Sequence, residues 1–270
     1  MRGASRASYA GLRERLTAAA PDAGTAEQIG GELFAVVRLL DTEHGLRRAL
    51  ADSTKPAEEK AAVAKRLLHG KVSQASEDLV ADAAAAHWAT SGDLSDAIEQ
   101  LAIEAFVIAA QFGGTLDDLE DDLFRFGRVV SGQPGLRSAL VGPTGPDAKA
   151  SLLDNLLSAK VSGPSLSLIT ELLTHPRGRS PQVVLDLAAG IAARRREQLI
   201  AVVRVAAELS ARQRQRLGDV LRQTYGQGIH LNVVHDPTVI GGVSVQIGDE
   251  LFDGTAASRL AEVRRRLAAG

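Results

Sequence analysis

The stretch "GLRRALADSTKPAEEK" at residues 45–60 returns ninety residues later as "GLRSALVGPTGPDAK" at 135–149. Chance similarity between Ala/Leu-rich helices would explain the shared leucines, but not the glycine, threonine, proline and arginine that keep the same register. We therefore interpret the match as a duplicated helical segment. The match extends in both directions, pairing Leu33-Phe34, Arg38, Lys60, Leu68 and Leu79 with Leu123-Phe124, Arg128, Lys149, Leu157 and Leu168.

Apolar residues at a spacing of three to four dominate residues 1–198 and predict about ten helices. One stripe consists of Ile29, Leu33, Val36, Val37 and Leu40, and a second repeats it with Leu119, Leu123, Phe126 and Val130. Thr25 and Gln28 fit a capping box before the first stripe, because each side chain can satisfy a free backbone N–H of the opening turn. Pro146 suits the first turn of a later helix.

After residue 198 the spacing of apolar residues changes from three or four residues to two. Alternating or β-branched runs at 199–206, 229–234 and 243–247 predict strands with one buried face, and a short strand follows a Gly248-Asp249 turn. Ser210 and Gln213 fit a capping box for a helix between the first two strands, with Leu217, Val220 and Leu221 inward. We predict a last helix after Thr255. The order describes a small α/β domain.

Composition excludes several classes of function. The chain has 270 residues, no cysteine and 31 basic against 33 acidic residues, so disulfides, thiolate sites and the basic surplus of a nucleic-acid binder are absent. No apolar run reaches the ~18 residues of a spanning helix. The six histidines form no metal-ligating spacing, and Gly241-Gly242 leads into no P-loop. We therefore predict no catalytic, cofactor-binding or metal-binding residue.

The C-terminal stretch "DPTVIGGVSVQIGDELFDGTAASRLAEVRRRL" at 236–267 resembles the delta subunit of bacterial F-type ATP synthases, the relative of the mitochondrial oligomycin-sensitivity-conferring protein. The family pattern is a strand with Ile-Gly-Gly, an alternating strand, a Gly-Asp turn and Asp-Gly-Thr before a helix with leucine. The opening "SRASYAGLRERL" resembles the family's first helix. The residues that carry the resemblance are Tyr9, Ala10, Ile240, Gly241, Gly242, Asp253, Gly254, Thr255 and Leu260.

The resemblance implies a six-helix N-terminal bundle, a small C-terminal α/β domain and a non-catalytic role in the peripheral stalk. It implies that the bundle binds N-terminal helices of the alpha subunits and that the C-terminal part binds the b subunits. The complex would lie at the cytoplasmic face of the cell membrane. For Asp253 or Thr255 we expect a helix-capping role, and for Gly241 and Gly242 positions where a Cβ is not tolerated.

The chain departs from the family in carrying two bundles rather than one. We predict a mainly α protein with two tandem helical bundles, 1–110 and 111–198, followed by a small α/β domain at 199–270. The helix near 93–111 would serve both bundles. Since the family-like opening helix lies in the first bundle, we expect that bundle to hold the catalytic head. Two alternatives remain open, a free-standing helical scaffold and a nucleotide hydrolase.

Overall fold

The computed structural model describes residues 3–198, 200–206, 209–225, 229–236, 239, 242–247 and 250–253. The chain divides into two compact units, Met1–Ala192 and Ala193–Gly270. The first unit is helical and the second is built on a sheet, which confirms a mainly α protein with a small α/β domain. Among the described helices, none is both long enough and apolar enough to cross a bilayer.

Six helices form the first part of the helical unit. α2 and α6 cross at Gly30, where an added Cβ would lie 2.7 Å from the ring of Phe106, so the crossing requires glycine. The indole N–H of Trp88 donates to the backbone oxygen of Ala83 at 2.7 Å, and the side chain is buried. The helices are α1 (Ala4–Ala19), α2 (Ala23–Thr42), α3 (His44–Ala51), α4 (Ala57–Leu68), α5 (Gln74–Ala85) and α6 (Ser91–Phe112).

Five further helices follow and repeat the order of α2 to α6. They are α7 (Leu116–Gly132), α8 (Pro134–Val141), α9 (Pro146–Leu157), α10 (Gly163–Thr174) and α11 (Pro181–Gln198). We call α2 to α6 the first series and α7 to α11 the second series. The helices of the first series are 20, 8, 12, 12 and 22 residues long, and those of the second are 17, 8, 12, 12 and 18 residues long. Pro56 precedes α4 and Pro146 opens α9. The predicted common helix order is therefore confirmed.

Burial repeats together with the helix order. Both predicted stripes are buried, as are Leu50 and its counterpart Leu140. The N-terminal helix caps recur as well: the Ser73 side chain accepts the Ser76 N–H at the start of α5, and the Ser162 side chain accepts the Ser165 N–H at the start of α10. Lys60 and Lys149 are both buried at corresponding positions. Because packing restricts volume at buried sites, the interior preserves the repeat.

Helix α6 packs against α1, against α2, α3 and α5 of the first series, and against α7 and α10 of the second series. Residues 3–192 consequently form one compact unit in which both series lie. A boundary near residue 110 stays a prediction.

The capping box predicted at Thr25 and Gln28 is wrong. Helix α2 begins at Ala23, and Asp22 caps it by accepting the Thr25 N–H at 2.8 Å. Gln28 instead donates to Glu32 at 2.9 Å on the outer face of the helix. The acidic side chain ahead of the threonine is the stronger acceptor, so the helix starts one residue after it.

The second unit contains β1 (Ile200–Val205), α12 (Ala211–Tyr225), β2 (His230–His235), β3 (Val243–Ile247) and β4 (Glu250–Asp253). The strand order is β2-β1-β3-β4, with β1 and β2 parallel and the other pairs antiparallel. Val203 lies beside Val233 on one side and Val245 on the other. The α12 helix provides the crossover that a parallel pair requires.

The core of this unit combines alternate strand residues with one face of α12. Ala201, Val203, Val205, Val245 and Ile247 are buried, which confirms the predicted alternation. Ser210 and Gln213 form the predicted capping box: the Ser210 N–H donates to Gln213 Oε1 at 2.9 Å, and the Gln213 N–H donates to Ser210 Oγ at 3.3 Å. Val220 was predicted to point inward but is exposed, because Leu217 and Leu221 already occupy the side of α12 that packs on the sheet.

Candidate partner-binding surfaces

Two side chains on one face of α2 contact the second helical series. Glu27 accepts a hydrogen bond from Ser167 at 2.9 Å, and Arg38 forms an ion pair with Glu171 at 2.6 Å. Both partners, Ser167 and Glu171, lie on α10. The two contacts are polar and specific, so they fix the position of α10 on α2 as well as stabilising it.

A cluster of charged side chains extends this contact beyond the end of α10. The Arg177 guanidinium pairs with Asp41 at 2.6 Å, Glu99 at 2.9 Å and Asp96 at 3.0 Å. Arg179 also pairs with Glu99, whose side chain is only 3% exposed. A buried carboxylate that lacked such partners would be strongly destabilising. The loop between α10 and α11 therefore ties α2 and α6 together.

The backbone at Arg177 has φ +53°, the left-handed region that residues other than glycine seldom adopt. Burial alone would lower the pKa of the Arg177 guanidinium, but the hydrogen bond to Asp41 and the charges of Glu99 and Asp96 outweigh it and raise that pKa. The strained conformation is therefore held by a permanently charged side chain with three carboxylate partners.

A cavity of about 410 Å³ lies beside this cluster and is lined by Phe34, Arg38, Asp41, His175 and Arg177 among others. Partial burial and the positive charges of Arg38 and Lys149 lower the pKa of His175, although Glu171 opposes them. Its Nδ1 lies 2.9 Å from the Thr174 hydroxyl. The cationic groups here are committed to ion pairs, and the described residues contain no group of three His, Asp or Glu side chains able to hold a metal ion.

Exposed apolar side chains are distributed unequally between the two helical series. Residues 3–110, all of which the structure describes, have no large apolar side chain that is mainly exposed. The second series exposes Phe124 by 60%, whereas its counterpart Phe34 is only 5% exposed. The exposed side chains are Phe112, Phe124, Val129, Val141 and Val183.

The sheet unit exposes apolar groups along its edge strand β4, where Leu251 is 64% and Phe252 48% exposed. Neighbouring strand residues point to opposite faces, so both faces of the edge are apolar. On the far edge, Val234 of β2 is also exposed. Edge strands carry backbone groups that can pair with another chain, and an apolar edge strengthens such pairing.

The sequence-predicted family residues lie in three places. Tyr9 is half-buried and Ala10 exposed on α1, and Asp253 ends β4 opposite Ser244. Gly242 precedes β3 with φ +83°, a conformation that a side chain would strain. The remaining signature residues, Ile240, Gly241, Gly254, Thr255 and Leu260, lie outside the described residues, as does the predicted last helix. Sequence reasoning missed the Arg177 cluster, because its members are separated by up to 136 residues.

The family model for the "ATP synthase delta (OSCP) subunit" matches residues 103–267, more than half of the chain. That match begins within α6 and therefore covers the second helical series and the sheet unit rather than the first series. A solved chain from the mitochondrial ATP synthase hexamer of Toxoplasma gondii covers 62% of this chain and 96% of its own length, at 16% identity and a TM-score of 0.32, which is too low to support an argument.

Relatives named ATP synthase subunit delta match over nearly the full length of this chain. An ATP synthase subunit delta of Streptomyces griseus is 46% identical over 99% of this chain and 100% of its own. One from Thermobifida fusca is likewise 46% identical, over 99% and 100%. Both matches therefore extend over the two helical series and the sheet unit of this chain. The chain belongs to the ATP synthase delta (OSCP) subunit family.

Proposed function

We propose that this chain joins the catalytic head of an F-type ATP synthase to the membrane-anchored b subunits at the cytoplasmic face of the membrane. As a delta-type subunit it is a non-catalytic part of the stator, which resists the torque of the rotor. In the proposal, the helical unit binds N-terminal helices of the alpha subunits and the sheet unit binds the ends of the b subunits.

The observation that carries the proposal is the restriction of exposed apolar side chains to residues 111–198 within the helical unit. Large apolar side chains that are exposed in the free subunit are groups that a bound amphipathic helix can bury. The family model also begins in α6 and continues through this second series. Both observations favour the second series as the part that holds the head, contrary to the expectation based on the opening helix with Tyr9 and Ala10.

The first series would then act as a brace. Its α2 is joined to α10 by the pairs Arg38–Glu171 and Glu27–Ser167, and to the following loop by Asp41–Arg177. Residues 3–110 expose no large apolar side chain, and Phe112, the last residue of α6, is 46% exposed. A stator element needs resistance to deformation, and a second bundle fixed by several polar contacts supplies it.

The apolar edge strand β4 supports the assignment of the sheet unit to the b subunits. Leu251 and Phe252 are the most exposed large apolar side chains among the described residues of this unit apart from Val220 on α12. Burying one such side chain at an interface contributes on the order of 1.5–3 kcal/mol. Leu251 and Phe252 give the edge strand one exposed apolar side chain on each face of the sheet.

A bridging assay tests the proposal against a free-standing scaffold. The purified catalytic head, lacking this subunit, is immobilised, and the soluble part of the b subunit is added with and without the full-length chain. Capture of b is expected only when the chain is present. A Leu251→Asp variant should keep head binding and lose capture of b, whereas Ala57→Asp on the exposed first turn of α4 should bridge normally. Absence of binding to either partner would support the scaffold.

A further inference from the structure

Lys149 on α9 is a buried cation. The residue is 8% exposed, and its ammonium group forms no hydrogen bond or ion pair with any residue in the described part of the chain. Lysine is rarely buried without a partner, because an ammonium group taken out of water needs a hydrogen bond or an opposite charge to offset the cost. The arginines of this region differ, since Arg38 pairs with Glu171 and Arg177 with three carboxylates. No such ion pair neutralises Lys149.

The first series shows how the equivalent lysine is neutralised. Lys60, the counterpart of Lys149, is 4% exposed, and its ammonium group donates to the Ala86 carbonyl oxygen at 3.2 Å. Burial lowers the pKa of Lys60, and the negative charge of Asp52 opposes that shift. Asp52 is itself held by Thr54, whose backbone N–H and hydroxyl donate to its Oδ1 at 2.9 and 2.7 Å. A carboxylate and a carbonyl oxygen thus stabilise this buried lysine.

The second series differs at both of these acceptors. The repeat places Gly142 at the position of Asp52, so the side-chain carboxylate is missing. It places His175 at the position of Ala86, with ψ 64° instead of 171°, which turns the backbone carbonyl in another direction. Thr144, the counterpart of Thr54, is retained, and neither its N–H nor its hydroxyl bonds to a described residue. The second series therefore retains the donors of this site without the acceptors.

We propose that a small carboxylate anion from solution binds beside Lys149 and takes the place that the Asp52 side chain has beside Lys60. One of its oxygens would accept the Thr144 N–H and hydroxyl, as Asp52 Oδ1 accepts those of Thr54. Gly142 makes the approach possible, because this residue has no side chain of its own. The negative charge of the anion would stabilise the buried ammonium group.

The charges around Lys149 favour a monovalent anion. Burial and the positive charges of Arg38 and Lys149 lower the pKa of His175 more than Glu171 raises it. The imidazole is therefore neutral at about pH 7 and adds no second cation. One negative charge neutralises a single ammonium group, whereas a phosphate dianion would leave a surplus negative charge beside it. A monocarboxylate also has the shape and the two oxygens of the Asp52 side-chain group.

Amide NMR of the full-length chain tests the site, with acetate as the probe and acetamide as its uncharged analogue at constant ionic strength. Acetate should shift the Thr144 amide signal saturably, and acetamide should not. Lys149→Met should weaken acetate binding at least about tenfold, because the ammonium group supplies the opposite charge. Lys160→Met removes an exposed lysine and should change binding less than about twofold. Acetate binding that survives Lys149→Met, an equal response to acetamide or tighter binding of inorganic phosphate overturns the inference.

The first series provides a reciprocal test. Asp52→Gly reproduces around Lys60 the arrangement of the second series, so the Thr54 amide should respond to acetate in this variant and not in the unaltered chain. A Thr54 amide that stays insensitive in the variant, or a Thr144 amide that is insensitive in the unaltered chain, overturns the inference. Circular dichroism confirms that each variant folds.

Melting temperatures in chloride separate the two lysines. Lys149→Met should not lower the melting temperature, because it removes a buried charge that has no partner. Lys60→Met should lower it, since the Ala86 carbonyl oxygen loses its donor. Equal losses in the two variants would overturn the inference. None of these measurements involves the head or the b subunits, so their failure would leave the proposed function unchanged.

Discussion

Replacing Arg177 with alanine is expected to destabilise the helical unit by about 3 kcal/mol. The guanidinium donates to Asp41, Glu99 and Asp96, and its side chain is only 16% exposed. Removing one partner of a fully buried ion pair costs about 3–5 kcal/mol. The lower end applies here, because Arg179 still neutralises Glu99 while Asp41 and Asp96 retain partial contact with water.

Comparing alanine with glycine at the same position separates the lost ion pairs from the backbone. Both variants remove the guanidinium, but only glycine adopts φ +53° without steric strain. Left-handed conformations cost other residues on the order of 1–3 kcal/mol, partly offset by the greater freedom of glycine in the unfolded chain. Arg177→Gly should therefore be about 1 kcal/mol more stable than Arg177→Ala.

Urea denaturation of the full-length chain at neutral pH, followed by the helical signal, measures both differences. The matched control is Arg125→Ala, which removes an exposed i,i+4 pair with Asp121 and should change stability by less than about 0.5 kcal/mol. If Arg177→Ala falls within 0.5 kcal/mol of that control, the cluster does not hold the two helical series together and the reasoning is refuted. A glycine variant less stable than the alanine variant would refute the assignment of backbone strain.

Three further changes test the fold. Removing a cap hydroxyl costs about 0.5–2 kcal/mol of stability. In urea denaturation Ser73→Ala should be more destabilising than Ser162→Ala, because Ser73 also donates to the Glu32 carboxylate on α2. Equal losses of stability would contradict this. Gly30→Ala should lower stability by about 1–3 kcal/mol, since the new methyl group would clash with the Phe106 ring where α2 crosses α6. An unchanged urea midpoint would show that the two helices are not packed so tightly. The lowered pKa of His175 means that the unfolded chain takes up a proton first as pH falls below about 6.5, so stability present above that pH declines as pH falls toward the folded pKa. A His175→Gln variant should show a flatter decline in urea midpoint from pH 7.5 to 5.5, and parallel declines would show that this histidine does not contribute.

The helices and strands were predictable where the information is local. Periodic leucines and valines identified the buried faces, and the Ser210–Gln213 capping box was confirmed because both partners lie within one turn. Local rules failed at Thr25, since a better acceptor at Asp22 competes for the same N–H groups. The failure at Val220 is similar, because an apolar residue next to a buried stripe resembles one within it.

The candidate sites were less predictable, because they depend on contacts between distant segments. Phe34 and Phe124 occupy equivalent positions in similar helices, yet one is buried and the other exposed. The difference arises between helices, since the ring of Phe34 packs against that of Phe106 on α6, with the two centroids 6.0 Å apart. The partners of Arg177 likewise come from α2 and α6, and no sequence motif predicts these contacts.

The position of α6 has a consequence for the elasticity of the molecule. A linker between two bundles would act as a soft joint, and load applied at one end would first be absorbed by bending there. Here a single helix of 22 residues packs against both helical series, and at 1.5 Å per residue it extends about 33 Å without interruption. Relative rotation of the two series would require bending or twisting this rod and separating its packed faces. The helical unit should consequently behave as a stiff spring that deforms little under load before it transmits force.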